Sequence, residues 1–322
     1  MCATPAEIAS RASGIAASVA WRQWAALGAP VSSGGDFPHS VIDPEALLLL
    51  SCVLRGRERR LDDVLAWWAE AGAALTSVQR AATLRKAFPT SASAGLGAFA
   101  RAALAAGDGR WRGLSSHAED GEVVLVTRGK RGRDVQLVAA PALMLRLRAA
   151  FGVGVKADLL SVLLALDGGE ATVRALTLST GYTAAAVRRA AQEMAAARTV
   201  QGTRGRPAAF YVDARRWVEL LDFGPGSDAK PPAWRYFAQV FAFLAAVLEW
   251  EERTSPDGNM YLAASSARDV FEAHRAAFDL NRIRVPEPSD HRGEAYLNAF
   301  SSVVDTLAEW MSAATSGGAT VG

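Results

Sequence analysis

Cysteine is nearly missing from this chain, with only Cys2 and Cys52 in 322 residues. Two thiols cannot build a disulfide framework or a four-thiolate zinc site, and a reducing cytoplasm is the expected location. Histidine is scarce as well. His39, His117, His274 and His291 stand far apart, without the i+3 or i+4 partners of a zinc motif. Long apolar runs are lacking too. The longest, Phe237–Leu248, is broken by Gln239 and is too short to span a bilayer. Its apolar residues keep helical spacing, so a core or interface helix is expected and no membrane association. The first residues include Glu7 and Arg11 instead of a basic stretch followed by an apolar one, so no signal peptide is expected. Net charge is close to balance at +2, which excludes a uniformly basic or acidic chain.

Catalytic constellations are equally thin. Asp62-Asp63 and Glu251-Glu252 are sequence neighbours, and on a helix such neighbours point about 100° apart, which is poor geometry for a shared acid/base site. Gly152-Val-Gly-Val-Lys156 has a lysine after glycines but not the spacing of a phosphate loop. Gly224-Pro-Gly-Ser-Asp228 is followed by no spaced Asp pair, and no serine or cysteine has a visible base. The reading is a non-enzyme that needs no metal or cofactor.

What the chain does have is an ordered series of short elements over Val155–Trp217. A helix pattern, Lys156–Leu166, is followed by a second, Ala171–Leu178. After the break Ser179-Thr-Gly-Tyr182 comes a longer helix, Thr183–Ala197, and then a hairpin with Gly202–Pro207 at its tip. Gly181 suits a tight turn that needs positive φ, and the Thr183 hydroxyl suits a helix cap. Val187, Ala190, Ala191 and Met194 fall on one face of the third helix and are expected inside. Ala185, Arg188, Arg189 and Gln192 fall on the other, where small residues permit close approach and Arg and Gln can read guanine, adenine or phosphate. Arg204 and Arg206 sit at the hairpin tip, suited to a narrow minor groove or flanking phosphate. Within this stretch nine Lys and Arg stand against five Asp and Glu, a local charge of +4.

Gly181, Thr183, Val187 and the wing Gly205-Arg-Pro-Ala-Ala-Phe-Tyr211 resemble the winged helix-turn-helix regulators of bacteria, the group that includes the PadR, ArsR and MarR types. The likeness covers residues 155–217. It implies a winged-helix fold and sequence-specific binding of double-stranded DNA, with transcription regulation as the function. Arg188, Arg189 and Gln192 would reach major-groove edges, Thr183 and Lys156 would contact phosphate, and Arg204 and Arg206 would reach the minor groove or its phosphates. The alanine-rich third helix and the remainder of the chain depart from that pattern.

The remainder reads as mainly helical. Residues 1–118 form a helical region and 222–322 another, flanking 119–221, which holds a β-hairpin and the winged unit. The expected helices are 3–27, one opening at Asp43-Pro44, 61–72, 76–88, 97–106, 141–151, 233–253, 261–278 and 290–314. Thr90–Leu96 reads as a Ser/Ala/Gly linker and Trp111–Asp120 as loop. Glu122–Thr127 and Asp134–Val138 read as strands about a basic tip, Arg128-Gly-Lys-Arg-Gly-Arg133, in which Lys130 and Arg131 are either a solvated turn or a second phosphate grip. Symmetric operators favour a homodimer, for which the apolar C-terminal helices are candidates. Alternatives are an antitoxin or phage-defence regulator bound to a partner protein, and an interaction-only scaffold. A sensor with a pocket lined by Phe237, Phe241, Phe271, Phe278, Tyr296 and Phe300 is a third.

Overall fold

The structure is a computed structural model describing residues 3–31, 39–116, 125, 134–221, 230–254, 259–285 and 287–315. It is mainly helical, with one small antiparallel sheet. Helix α1 (Pro5–Ala26) begins with a reciprocal cap. The Glu7 N–H donates to the Thr4 hydroxyl, and the Thr4 N–H donates to the Glu7 carboxylate. Asp43 caps α2 (Pro44–Leu54), which is buried on nearly every side, as its apolar run requires. Helix α3 (Leu61–Ala71) stops at Gly72 and brings Trp67 and Trp68 to Trp24, with ring centres 6.4 and 5.2 Å away. Ser77 caps α4 (Val78–Leu84), a helix that ends earlier than its sequence pattern because Arg85–Ala87 tightens into a 3-10 turn.

The expected linker at 90–96 is instead the first half of α5 (Thr90–Ala105). Its small residues serve close packing. A Cβ on Gly95 would stand 2.6 Å from Cys52 Cβ, so glycine lets α5 lie directly on α2. The expected loop from Trp111 is a 3-10 turn leading into α6 (Arg112–Ser115), and Trp111 is fully buried against Phe99 at 5.0 Å. Asp134–Val138 forms no strand with any of the described residues. The Gln136 N–H donates to the Leu27 carbonyl, so this segment runs along the end of α1. The rest of the expected basic hairpin, with Lys130 and Arg131, lies outside the described residues.

A central module follows: α7 (Leu143–Phe151), α8 (Val155–Ala165), β1 (Ala171–Thr172), α9 (Val173–Thr180), α10 (Ala184–Ala196), β2 (Gln201–Gly202), β3 (Ala209–Tyr211) and α11 (Ala214–Leu221). Ala171 and Thr172 were expected to be helical. They are strand because they pair with Phe210 and Ala209 of β3, and Thr172 then caps α9. The sheet order is β1-β3-β2, with both pairings antiparallel.

The C-terminal part comprises α12 (Phe237–Arg253), α13 (Met260–Ala273), α14 (Ala276–Asn281) and α15 (Ala295–Thr315). The single helix expected over 261–278 breaks at His274, and the bend brings the Phe271 and Phe278 rings to 5.4 Å. Two hydrophobic clusters result. The larger joins residues of α1 to α6 with those of α12 to α15, so the two flanking regions share one core. The smaller belongs to the central module, closed by Val41 and Trp234 from outside it. The six aromatics considered as pocket walls pack among the core side chains, each almost fully buried. Helix α12, considered for a dimer surface, spends its apolar residues in the same core. No helix among the described residues is long and apolar enough to cross a membrane.

Candidate nucleic-acid interface

Helix α10 is amphipathic in the way its sequence predicts. Val187, Ala190, Ala191 and Met194 are buried in the smaller core, while Ala185, Arg188, Arg189 and Gln192 are exposed. Its entry is fixed by two local devices. Gly181 has φ +71°, the left-handed conformation that ends α9 and that a residue without Cβ adopts freely. Thr183 then accepts a hydrogen bond from the Ala186 N–H. A cleft of about 290 Å³ adjoins the first turn of α10, lined by Ser77, Gln79, Arg110, Gly154, Tyr182 and Ala186 among others.

Phe210 of the β2–β3 hairpin and Val212 just after it pack into the smaller core, and Ala209 is buried beside them. Its loop is pinched shut at Thr203. The Thr203 N–H donates to the Ala209 carbonyl at 2.8 Å, and the Ala209 N–H donates to the Thr203 hydroxyl at 3.0 Å. Arg204 and Arg206 lie beyond that pinch and are exposed. Lys156, at the start of α8, pairs across to Glu193 of α10 at 2.8 Å, with both side chains about half exposed. Glu193 is a carboxylate that the sequence reading counted but did not assign to this face. The Lys156 hydrogen bond and charge, with Arg189, hold its pKa below the ordinary carboxylate value. Such an exposed pair is weak, so Lys156 can leave Glu193 at little cost.

Behind this surface lies an ion cluster that the sequence reading missed. Arg80 (α4) donates to Asp43, to Glu45 (α2) and to the Thr180 carbonyl, the last at 2.6 Å. Arg148 (α7) forms a two-point contact with Asp158 (α8) at 2.7 and 2.9 Å, and a second with Glu45 at 2.6 and 3.1 Å. The Tyr182 hydroxyl donates to Asp158 at 3.0 Å, and the Ser77 N–H donates to Glu45. All five charged side chains are almost completely shielded from solvent. Three carboxylates face two guanidiniums, and the surplus acceptor capacity is taken up by neutral donors.

Electrostatics keep Arg80, Arg148 and Asp158 ionised. Burial lowers the Arg80 pKa, but Asp43, Glu45 and Asp158 outweigh that and raise it; Arg148 is raised likewise by Asp158 and Glu45. Burial pushes Asp158 up, while Arg148, Arg80 and the Tyr182 hydrogen bond hold it below the usual value. The Tyr182 phenol is pushed up by burial and by Asp158. The cluster is enclosed, and its contacts are those of a clamp. It ties the Thr180–Tyr182 turn, and with it the start of α10, to α2 and α4. The available signal was a charge within each apolar helix pattern: Glu45 in α2, Arg148 in α7 and Asp158 in α8. Among the described residues no group of His, Cys, Asp and Glu is arranged to hold a metal ion.

No family model, curated protein or solved structure matches the chain.

Proposed function

We propose that residues 155–217 are a winged helix-turn-helix, and that the protein binds double-stranded DNA as a transcriptional regulator. The element order supports this reading: helix, strand, helix, helix and two strands, with β1 paired to the second hairpin strand. One observation carries it. Helix α10 has one face sealed into the core and the other, with Arg188, Arg189 and Gln192, open to solvent beside a hairpin tipped by Arg204 and Arg206. Guanidinium forks suit guanine edges and phosphate, and Gln suits adenine. The α10 side chains act in the major groove, and the hairpin arginines act in the minor groove or on its phosphates. Lys156 and Thr183 hold phosphate at the rim.

Selection from random duplex DNA tests the reading, repeated with an Arg188→Ala/Arg189→Ala variant. An enriched motif for the native protein, lost in the variant, is the expected result. Recovery of no motif, together with no salt-dependent affinity for any duplex, would sink it.

A further inference from the structure

Far from the central module, α13 and the start of α15 enclose a small cleft of about 160 Å³. Tyr261, Ala264, Ser265 and Arg268 line it from α13; Arg292, Gly293 and Tyr296 line it from the other side. We propose that this cleft binds a small oxyanion, a carboxylate or phosphate group, through Arg268, Arg292 and the Tyr296 hydroxyl. The inference does not depend on the DNA-binding reading.

Unsatisfied donors are the first argument. The Tyr296 hydroxyl and Arg268 Nε are both enclosed, and neither has a hydrogen-bond partner. Buried donors of this kind are uncommon, and each requires an explanation. Here the two belong to residues on different helices that line the same cleft. An oxyanion offers acceptor lone pairs enough for both, and charge-assisted bonds to it are strong.

Charge is the second argument. Arg268 donates to the His291 carbonyl at 3.0 Å, and its guanidinium lies 4.8 Å from the Tyr296 ring centre. Neither Arg268 nor Arg292 forms an ion pair among the described residues. The nearby carboxylates Glu272 and Glu287 are both held by Arg275, at 2.9 Å each. With Arg275 counted, three arginines stand against these two carboxylates, a surplus of one positive charge at the cleft. Burial raises the Tyr296 phenol to about 12, so the hydroxyl is protonated at neutral pH and available as a donor.

Size and shape limit the ligand. The volume is well below the roughly 300–1,000 Å³ of sites for drug-sized molecules, so the site takes one oxyanion on a compact body. The exposed Tyr261 ring lies beside Gly293, where it provides a flat apolar wall for that body.

Calorimetric titration of the intact 322-residue chain with inorganic phosphate, and separately with benzoate, tests the site and separates the two sources of oxyanion. Saturable binding of one of them is expected. Arg292→Gln, at an exposed position, should weaken it about tenfold or more. Tyr296→Phe should weaken it several-fold without lowering the melting temperature, since the hydroxyl loses no partner within the fold. Failure of both probes to bind, or an affinity unchanged in either variant, would overturn the proposal.

Discussion

Arginine serves two opposite purposes in this molecule, and burial separates them. Arg188 and Arg189 point into solvent from α10, whereas Arg80 and Arg148 are sealed among carboxylates. Replacing both exposed residues with alanine should leave folding cooperativity and helix content unchanged, because only the weak charge interaction of Arg189 with exposed Glu193 is lost. DNA affinity should fall by about 1–3 kcal/mol for each lost base contact, and the salt dependence should flatten if phosphate contacts go instead. Fluorescence anisotropy across a salt series distinguishes these two outcomes. The buried residues behave differently. Arg80→Met leaves Asp43 and Glu45 short of a counter-charge and should cost about 3–5 kcal/mol in urea unfolding. Asp158 gives the cluster a pH signature. Its folded-state pKa is depressed, so its stabilising contribution is complete above the unfolded carboxylate value of about 4 and is lost as pH falls through the lowered folded value. Unfolding free energies measured from neutral pH downward should therefore lose the Asp158 contribution only below about pH 4 in the native protein, with a decline that sets in there. The decline should be shallower in Asp158→Asn, from a lower starting stability. Equal slopes would mean that Asp158 is not the titrating group.

At the scale of elements, legibility followed the range of the interactions. Helix α10 was readable because its apolar period, its Thr183 cap and the Gly181 turn are all local. Helix α5 was not, since its Ser/Ala/Gly composition has the look of a linker until α2 is packed against it. Strand β1 was read as helix because only its pairing with β3, almost forty residues onward, makes it extended. The ion cluster was hidden for the same reason: its members come from five separate stretches of chain. Two glycines test the distinction between conformation and space. Gly181→Ala places a Cβ at φ +71° and 3.3 Å from Leu84, so it should destabilise by about 1 kcal/mol or more and disturb the entry of α10. Gly95→Leu meets Cys52 in the core and should destabilise by several kcal/mol, of the order expected for overpacking against backbone. Thermal melts of the two variants should rank in that order. A Gly95→Leu protein as stable as the native one would show that α5 can move away from α2.

The whole molecule is organised by which surfaces its parts share. The N-terminal and C-terminal helices look like separate regions along the sequence, yet α1 lies against both α12 and α15, and α2 against α12. Arg57 reaches Glu251 and Glu252 across the same boundary, and Arg11 reaches Asp305. The two regions thus bury apolar surface in common, and neither can complete a core alone. The central module has its own core, but it is not an independent bead on that bundle: Asp43, Glu45 and Arg80 belong to one side of the clamp, Arg148, Asp158 and Tyr182 to the other. Orientation of α10 is therefore set by the bundle as well as by the module. Expressed alone, residues 1–118 should remain unfolded or aggregate, having lost α12 and α15. Residues 140–236 should keep their hydrophobic cluster apart from Val41 but lose Glu45, leaving Arg148 with one carboxylate instead of two. That fragment should fold with lower stability than the intact protein and bind the selected duplex more weakly, because the Thr180–Tyr182 turn is no longer held by Arg80. Circular dichroism melts and anisotropy on the two fragments measure this directly. Full affinity in the 140–236 fragment would mean that the clamp stabilises the molecule without positioning α10.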